Sequence, residues 1–183
     1  LEAVISPVIE FRDVLLESPV TGNYRTLVFT SAQGVRSFSK SAEIDERMAV
    51  LAVGAQTAEA ARDAGFEHVI GGGGDADALL QKISEEGLRG PFMYPRAVNV
   101  HGNIEARLKR LGHECVSFPV YEAVKAEAFT AEAVSALGKG EIRSVLHFSP
   151  RSARIFCEIA DKSGLRESFH TINALCLSET VVK

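Results

Sequence analysis

The sequence predicts an α/β fold with mainly parallel sheets flanked by helices, and three observations carry that prediction. Short apolar runs rich in Val, Ile, Leu and Phe alternate with stretches of helical periodicity along nearly all of the 183 residues. The apolar runs show little polar alternation, as expected of strands covered on both faces. Gly65, Gly87, Gly112, Gly138 and Gly164 fall where helix C-caps belong, and the short connections are those of βα units with parallel strands.

Taken in order, strands are predicted at Thr26–Thr30, Met48–Val53, His68–Ile70, Phe92–Tyr94, Glu114–Phe118, Ser144–Phe148 and Thr171–Cys176. Helices are predicted between them near Gln33–Ile44, Gln56–Ala64, Asp77–Glu86, Ile104–Leu111, Ala131–Leu137 and Ser152–Ser163. Two long extended runs, Val4–Leu16 and Val116–Ala126, break the rhythm, and each carries a proline (Pro7, Pro119) followed by Val-x-Glu. Proline inside a long strand argues against a central place in a sheet, so these runs are expected to be crossings between two lobes.

The two runs also resemble each other, which points to an internal repeat. Glu2–Glu10 aligns with Glu114–Glu122, Arg25–Ser31 with Arg143–Ser149, and Val53–Thr57 with Cys176–Thr180, at offsets of 112, 118 and 123. The chain is therefore expected to be a duplicated, flavodoxin-like unit in two lobes joined by a two-stranded β-ladder. Residues 15–118 form the continuous lobe, 1–8 and 124–183 the discontinuous one, and 9–14 with 119–123 the ladder. The second copy has Phe92–Gly112 in front of Glu114 and the first has no counterpart in front of Glu2. The repeat thus predicts a further strand and helix before the first copy and at least one helix after Thr180.

Composition narrows the function. Twenty Lys+Arg against 24 Asp+Glu give a net charge of -4, which disfavours a nucleic-acid coat. No window approaches the roughly 18–20 apolar residues of a membrane span, and no basic-then-apolar leader opens the sequence. Cys115, Cys157 and Cys176 stand far apart without a CxxC, which suits a reduced, cytoplasmic setting rather than a disulfide frame or zinc site. His68, His101, His113, His147 and His170 show no metal-binding spacing. The Gly71–Gly74 run lacks the Gly-Lys-[Ser/Thr] end of a phosphate loop and is expected to be a flexible loop before a helix capped by Asp75.

The ordered set Pro7, Phe29-Thr30-Ser31, Val53-Gly54-x-x-Thr57, Pro119-Val120-Tyr121-Glu122, Phe148-Ser149-Pro150 and Ser178-x-Thr180 resembles the uroporphyrinogen-III synthase family over essentially the whole chain. Leu177-Ser178-Glu179-Thr180 stands where a Gly-x-x-Thr is usual in that family. The resemblance implies cyclisation of the linear tetrapyrrole hydroxymethylbilane to uroporphyrinogen III, with inversion of the last pyrrole ring and loss of water. It implies no metal and no organic cofactor. It implies a monomer that binds neither nucleic acid nor membrane, and association with the enzyme that makes the bilane is a further expectation.

That substrate carries eight carboxylates while the protein is acidic, so bulk charge is not what binds it. Backbone N–H groups at helix N-termini are the alternative donors, and in parallel sheets they cluster beyond the carboxyl ends of the strands. Thr30, Ser31, Gly54, Thr57, Ser149 and Thr180 are the expected substrate-binding residues at such turns, with Arg96 balancing charge. Each hydroxyl has a plainer reading as an N-cap worth about 1 kcal/mol. Tyr121 is the expected catalytic residue: the family resemblance makes its phenol the donor to the departing hydroxyl, and a phenol is protonated at neutral pH. The alternative function is a non-catalytic two-lobed binding protein for an anionic small molecule, which needs the crossings and helix starts but not Tyr121.

Overall fold

The computed structural model describes residues 2–15, 23–42, 45–100 and 102–182. It divides into two compact units, Phe11–Ala123 and Leu1–Glu10 with Val124–Lys183. Strand β1 (Ile9–Asp13) carries the chain into the larger unit and β6 (Cys115–Lys125) carries it out. Between them run β2 (Thr26–Phe29), α1 (Ala32–Ser41), β3 (Ala49–Ala52), α2 (Ala55–Asp63), β4 (His68–Gly71), α3 (Ala76–Glu85), β5 (Phe92–Ala97) and α4 (Ile104–Arg110). The six strands form one sheet in the order β1-β6-β5-β2-β3-β4. The β2–β3, β2–β5, β3–β4 and β5–β6 pairs are parallel.

Why these strands are apolar throughout is visible in the two layers that cover them. Leu27 and Phe29 of β2 point to one face, packed with Val35 and Phe38 of α1 and Ala60 and Ala61 of α2. Val28 and Leu51 point to the other, packed with Leu79 and Ile83 of α3 and Leu108 of α4. Each such fully buried side chain contributes on the order of 1.5–3 kcal/mol.

The smaller unit repeats the pattern with α5 (Ala131–Gly138), β7 (Ser144–His147), α6 (Pro150–Lys162), a 3-10 turn (Arg166–Phe169), β8 (Asn173–Cys176) and α7 (Glu179–Val182). Strands β7 and β8 pair in parallel, Ser144 with Asn173 through His147 with Cys176. Its core gathers Phe129, Ala133, Leu137, Ile155 and Ile159. Leu146 and Leu175 are 61% and 51% exposed, and no described residue covers them.

Several expectations are corrected in detail. The predicted strand Glu114–Phe118 and the extended run Val116–Ala126 are one continuous strand, β6. Pro119 sits inside it although β6 has neighbours on both sides, at the point where its register against β5 shifts; a bulge is where an interior strand accepts proline. Of Val4–Leu16 only Ile9–Asp13 is strand, and Leu16 lies outside the described residues. Helix α1 ends with Ala42 as its C-cap, and the predicted end at Ile44 also lies outside them. Gly65, Gly87, Gly112 and Gly164 follow helix C-caps with positive φ, whereas Gly138 is still helical and Gly140 takes that role at φ 70°. Of the Gly71–Gly74 run, Gly71 closes β4 and a Cβ on Gly71 or Gly74 would meet nothing within 4 Å, whereas Gly72 and Gly73 approach their neighbours closely. A Cβ on Gly72 would lie 3.0 Å from the Ala52 carbonyl, and one on Gly73, at φ 81°, would lie 2.8 Å from Ala78 Cβ. Asp75 caps α3 as expected, accepting from the amides of Asp77 and Ala78.

The repeat needs one change of register. Strands β2 and β7 align at the expected offset of 118. Ala52 closes β3 as Cys176 closes β8, and α2 begins at Ala55 as α7 begins at Glu179, so the later offset is 124 and not 123. Gly54 therefore corresponds to Ser178, and Thr57 to Val181 rather than Thr180. Burial agrees: Thr57 and Val181 are 6% and 7% exposed, while Thr180 is exposed.

Candidate active site

The site of the larger unit is built by one irregularity in the sheet. Residues Phe92–Arg96 of β5 pair in step with Cys115–Pro119 of β6, but Ala97 pairs with Tyr121, so Val120 is an extra residue. Side chains alternate along a regular strand. The bulge suspends that alternation, and Val120 and Tyr121, although consecutive, both join the core on the α1 side. Tyr121 is 9% exposed, with the Phe11 ring edge-on to it at 5.7 Å between centroids. Its hydroxyl lies 2.9 Å from Ser31 Oγ.

Ser31 is the N-cap of α1 in extended conformation, its Oγ accepting from the Gly34 amide at 3.0 Å. Glycine inside a helix costs up to about 1 kcal/mol relative to alanine. Here a Cβ at position 34 would lie 3.3 Å from Ser31 Oγ and 3.6 Å from both Phe29 and the Pro95 carbonyl. The missing side chain therefore makes room for the serine. A second hydroxyl pair stands nearby in the fold: Thr30 Oγ1 and Tyr94 OH are 3.3 Å apart. Burial raises the Tyr94 phenol above its ordinary value, against the lowering effect of the Thr30 hydrogen bond. Tyr94 is not among the residues the sequence singles out; a phenol within an apolar run carries no signal that its hydroxyl meets another strand.

The turn from β3 to α2 is different. Helices α1, α3, α4, α5 and α6 each have a side-chain cap, from Ser31, Asp75, Asn103, Thr130 and Ser149. At α2 the N-cap is Gly54 and no side chain caps the helix. Its φ of −127° is open to any residue, and a Cβ there would meet nothing within 4 Å. Gly54 thus leaves space rather than relieving strain. Thr57 sits in the first turn of α2, buried, and its hydroxyl makes no hydrogen bond among the described residues. An uncapped helix start with an unclaimed hydroxyl in its first turn is a donor set suited to a carboxylate.

Arg96 is already engaged. Its Nη1 donates to the carbonyls of Ala97 (2.8 Å) and Val98 (3.2 Å), and its Nε to Ser117 Oγ at 3.4 Å. Ser117 in turn donates to Glu105, whose carboxyl is held below its ordinary value by Lys109 and then by Ser117. Arg96 therefore fastens the end of β5. The structure joins Ser31 to Tyr121 and Thr30 to Tyr94 as two hydroxyl pairs just past β2, with Tyr121 in the core on the α1 side of the sheet and Tyr94 in the core on the α3 and α4 side. Gly54 and Thr57 stand at the next turn along. Ser149 and Thr180 belong to the smaller unit. Ser149 caps α6, accepting from the Ser152 amide at 3.1 Å and lying 2.9 Å from Ser152 Oγ, and Thr180 Oγ1 lies 2.8 Å from Ser178 Oγ.

Two cavities lie away from these turns. One, of about 560 Å³, opens at the amino ends of the strands around Tyr24, Pro91, His113 and Cys115. Ligands of parallel sheets bind beyond the opposite, carboxyl ends, and burial pushes the Cys115 thiol up to about 11, which leaves it protonated and unreactive. The other, of about 330 Å³, lies within the smaller unit beside α6. Among the described residues no group of three or more His, Cys, Asp or Glu could hold a metal ion, and no helix is long and apolar enough to cross a membrane.

Residues 1–183 match the family model described as uroporphyrinogen-III synthase HemD. No curated protein sequence matches the chain. Among solved structures it is similar to a uroporphyrinogen-III synthetase from Helicobacter pylori, with 15% identity over 95% of this chain and 85% of that one and a TM-score of 0.62. It is also similar to a mutant uroporphyrinogen III synthase from the extreme thermophile Thermus thermophilus, with 19% identity over 96% and 75% of the two chains and a TM-score of 0.54. At these identities the likeness shows a shared fold, and the full-length family match shows descent: the chain belongs to the uroporphyrinogen-III synthase family.

Proposed function

We propose that the protein cyclises hydroxymethylbilane to uroporphyrinogen III, inverting the last pyrrole ring and releasing one water. Family membership supports the substrate. The observation in the structure that carries the mechanism is the phenol of Tyr121, turned by the β6 bulge onto the Ser31 cap at the carboxyl ends of the parallel strands.

The chemistry follows from a leaving group that departs easily. Tyr121 donates its proton to the bilane hydroxyl, the carbon–oxygen bond breaks, and water leaves a cation conjugated with its pyrrole. The last ring then bonds through its substituted carbon, giving a spiro intermediate. Rearrangement and loss of one ring proton restore the aromatic pyrroles and balance the proton supplied by Tyr121. Because the bilane also closes unaided, to the type I isomer, the main contribution is conformational: the chain holds the last ring so that the substituted carbon reacts. The uncapped start of α2, with Gly54 and Thr57, receives a substrate carboxylate in this reading.

Incubation with bilane generated in situ, followed by separation of the uroporphyrin isomers, tests the proposal. Type III should dominate with the protein present. A product mixture unchanged from the protein-free reaction refutes it, and tight binding of bilane without isomer control points to the binding-protein alternative. General acids contribute about 10²–10⁴-fold. With so willing a leaving group, Tyr121→Phe should cost roughly 10- to 100-fold and let type I accumulate beside type III. A Phe variant that makes type III at the parental rate removes Tyr121 from the mechanism.

A further inference from the structure

A serine hydroxyl offers one proton and two acceptor sites. At Ser31 one acceptor site is taken by the Gly34 amide, and the other hydrogen-bond partner of its Oγ among the described residues is the Tyr121 hydroxyl at 2.9 Å. A Cβ built on Gly34 would lie 3.3 Å from the same Oγ, so the glycine leaves the cap its room. Ser31 is thus held by backbone on one side and aimed at the phenol on the other. Both hydrogen bonds described for its Oγ are made within the protein.

Resting on the reaction proposed above, we propose that Ser31 is a positioning residue that acts through Tyr121 rather than a substrate-binding residue. Once Tyr121 gives its proton to the departing hydroxyl, its oxygen becomes an anion that can only accept. For the bond to persist the Ser31 hydroxyl must donate to it, and the bond becomes charge-assisted, roughly twice as strong as a neutral one. The Gly34 amide, at the positive end of α1, polarises the same serine in the same direction. This interaction is stronger in the transition state than in the ground state, which is the condition for raising the rate rather than the affinity. Nothing is transferred from Ser31. The proton on the leaving water comes from Tyr121, and Tyr121 regains one from the ring that loses it.

A double-substitution cycle separates this from a structural role. Ser31→Ala should lower kcat about tenfold, the scale of one hydrogen bond to a charged group, with KM nearly unchanged. In a Tyr121→Phe background the same substitution should cost no more than about twofold, because residues acting as a unit are not additive. Ser31→Thr keeps the cap and the proton and should restore kcat to within about threefold. Ser31→Asp keeps the cap, since a carboxylate accepts from the Gly34 amide, but cannot donate to the phenol and should lose at least as much as Ser31→Ala. It also shows that a loss at this position is not a failure of α1 to fold. Additive losses in the cycle, a fully active Ser31→Asp, or a rise in KM without a fall in kcat would each overturn the inference while leaving the reaction standing. A parental chain that leaves closure to the type I isomer unaltered overturns the reaction, and this inference with it.

Discussion

The two copies of the β-α-β unit begin alike and end differently. Ser31 and Ser149 cap α1 and α6 with nearly the same backbone, φ −152°, ψ 147° and φ −153°, ψ 154°. Val28 pairs with Leu51 in one sheet as Leu146 pairs with Leu175 in the other. Yet every residue of β2 is buried, whereas β7 alternates between exposed and half-buried. The caps and strand pairing are local, so both copies have them. Burial depends on a second layer: α3 and α4 cover Val28 and Leu51, and no described residue covers Leu146 and Leu175. The serines diverge for a similar reason. The β6 bulge brings Tyr121 to Ser31, and Ser149 turns to Ser152 within its own helix. A shared local plan therefore yields two chemically different turns, and only the first holds an aromatic hydroxyl.

The largest effect should separate the two sheets. Leu51→Ala opens a cavity between two packed layers and should cost about 2–5 kcal/mol of unfolding free energy. Leu175→Ala, at the matching place, should change it by no more than about 0.5 kcal/mol, as surface substitutions do. Chemical denaturation of both variants checks the pair. Equal losses would mean that Leu175 is covered in solution, and the contrast between the copies would fall.

A middle-sized effect concerns the first turns of α2 and α7, where Thr57 and Val181 occupy equivalent buried places. Thr57→Val makes the first copy resemble the second. It removes a hydroxyl with no hydrogen-bond partner among the described residues, so stability should hold or rise by up to about 1 kcal/mol. Activity should fall about 3- to 10-fold, the scale of one lost neutral hydrogen bond to substrate. A Thr57→Val protein that is fully active would assign the threonine to packing alone. Arg96→Ala provides the contrast, because Arg96 is committed to its own strand end. It should loosen that segment and weaken substrate binding only modestly.

How much of this is legible in the sequence depends on the range of the signal. Strand positions such as Thr26–Phe29 and Ala49–Ala52 fall within a residue or two of expectation, because an uninterrupted apolar run is a local mark of two-sided burial. The caps Ser31, Asp75 and Ser149 are legible for the same reason. The repeat slips by one residue at its last match, where the sequence pairs Thr57 with Thr180. Identical residue types outweigh burial there, and only the fold reveals burial. Tyr94 reads as plain core because its partner Thr30 is 64 residues away. Pro119 is the local trace of the bulge at Val120, since an interior strand accepts proline at such a point. One extra residue changes facing and not composition, however, so Pro119-Val120-Tyr121 does not say which side chain turns inward. The pairing of Tyr121 with Ser31, on which the chemistry turns, depends on that bulge.

The smallest expected effect is a slope rather than an offset, and it concerns another pair of equivalent positions. Phe29 and His147 stand at the same place in β2 and β7. Phe29 is fully buried, while His147 is half-buried with its ring edge-on to Phe156 at 5.0 Å. Burial holds the imidazole below its ordinary value of 6.5, because the charged form is poorly solvated there. Asp161, Arg166 and His170 line the same cavity. Arg166 lies 3.3 Å from Asp161, and His170 3.3 Å from Glu167. As pH falls below 6.5 the unfolded chain takes up a proton that the folded chain still refuses, so the unfolded state binds more protons and stability falls with pH. The contribution of His147 is fully present above 6.5 and is lost progressively down to its folded value. His147→Phe makes the second copy resemble the first and removes that group from the balance. Unfolding free energies measured at several pH values between about 5 and 8, the range in which histidine titrates, should therefore vary less steeply in the variant than in the parent on the acid side. An unchanged slope would place the pH response of the smaller unit in its other titrating groups and show that His147 is solvated well enough to titrate as in the unfolded chain.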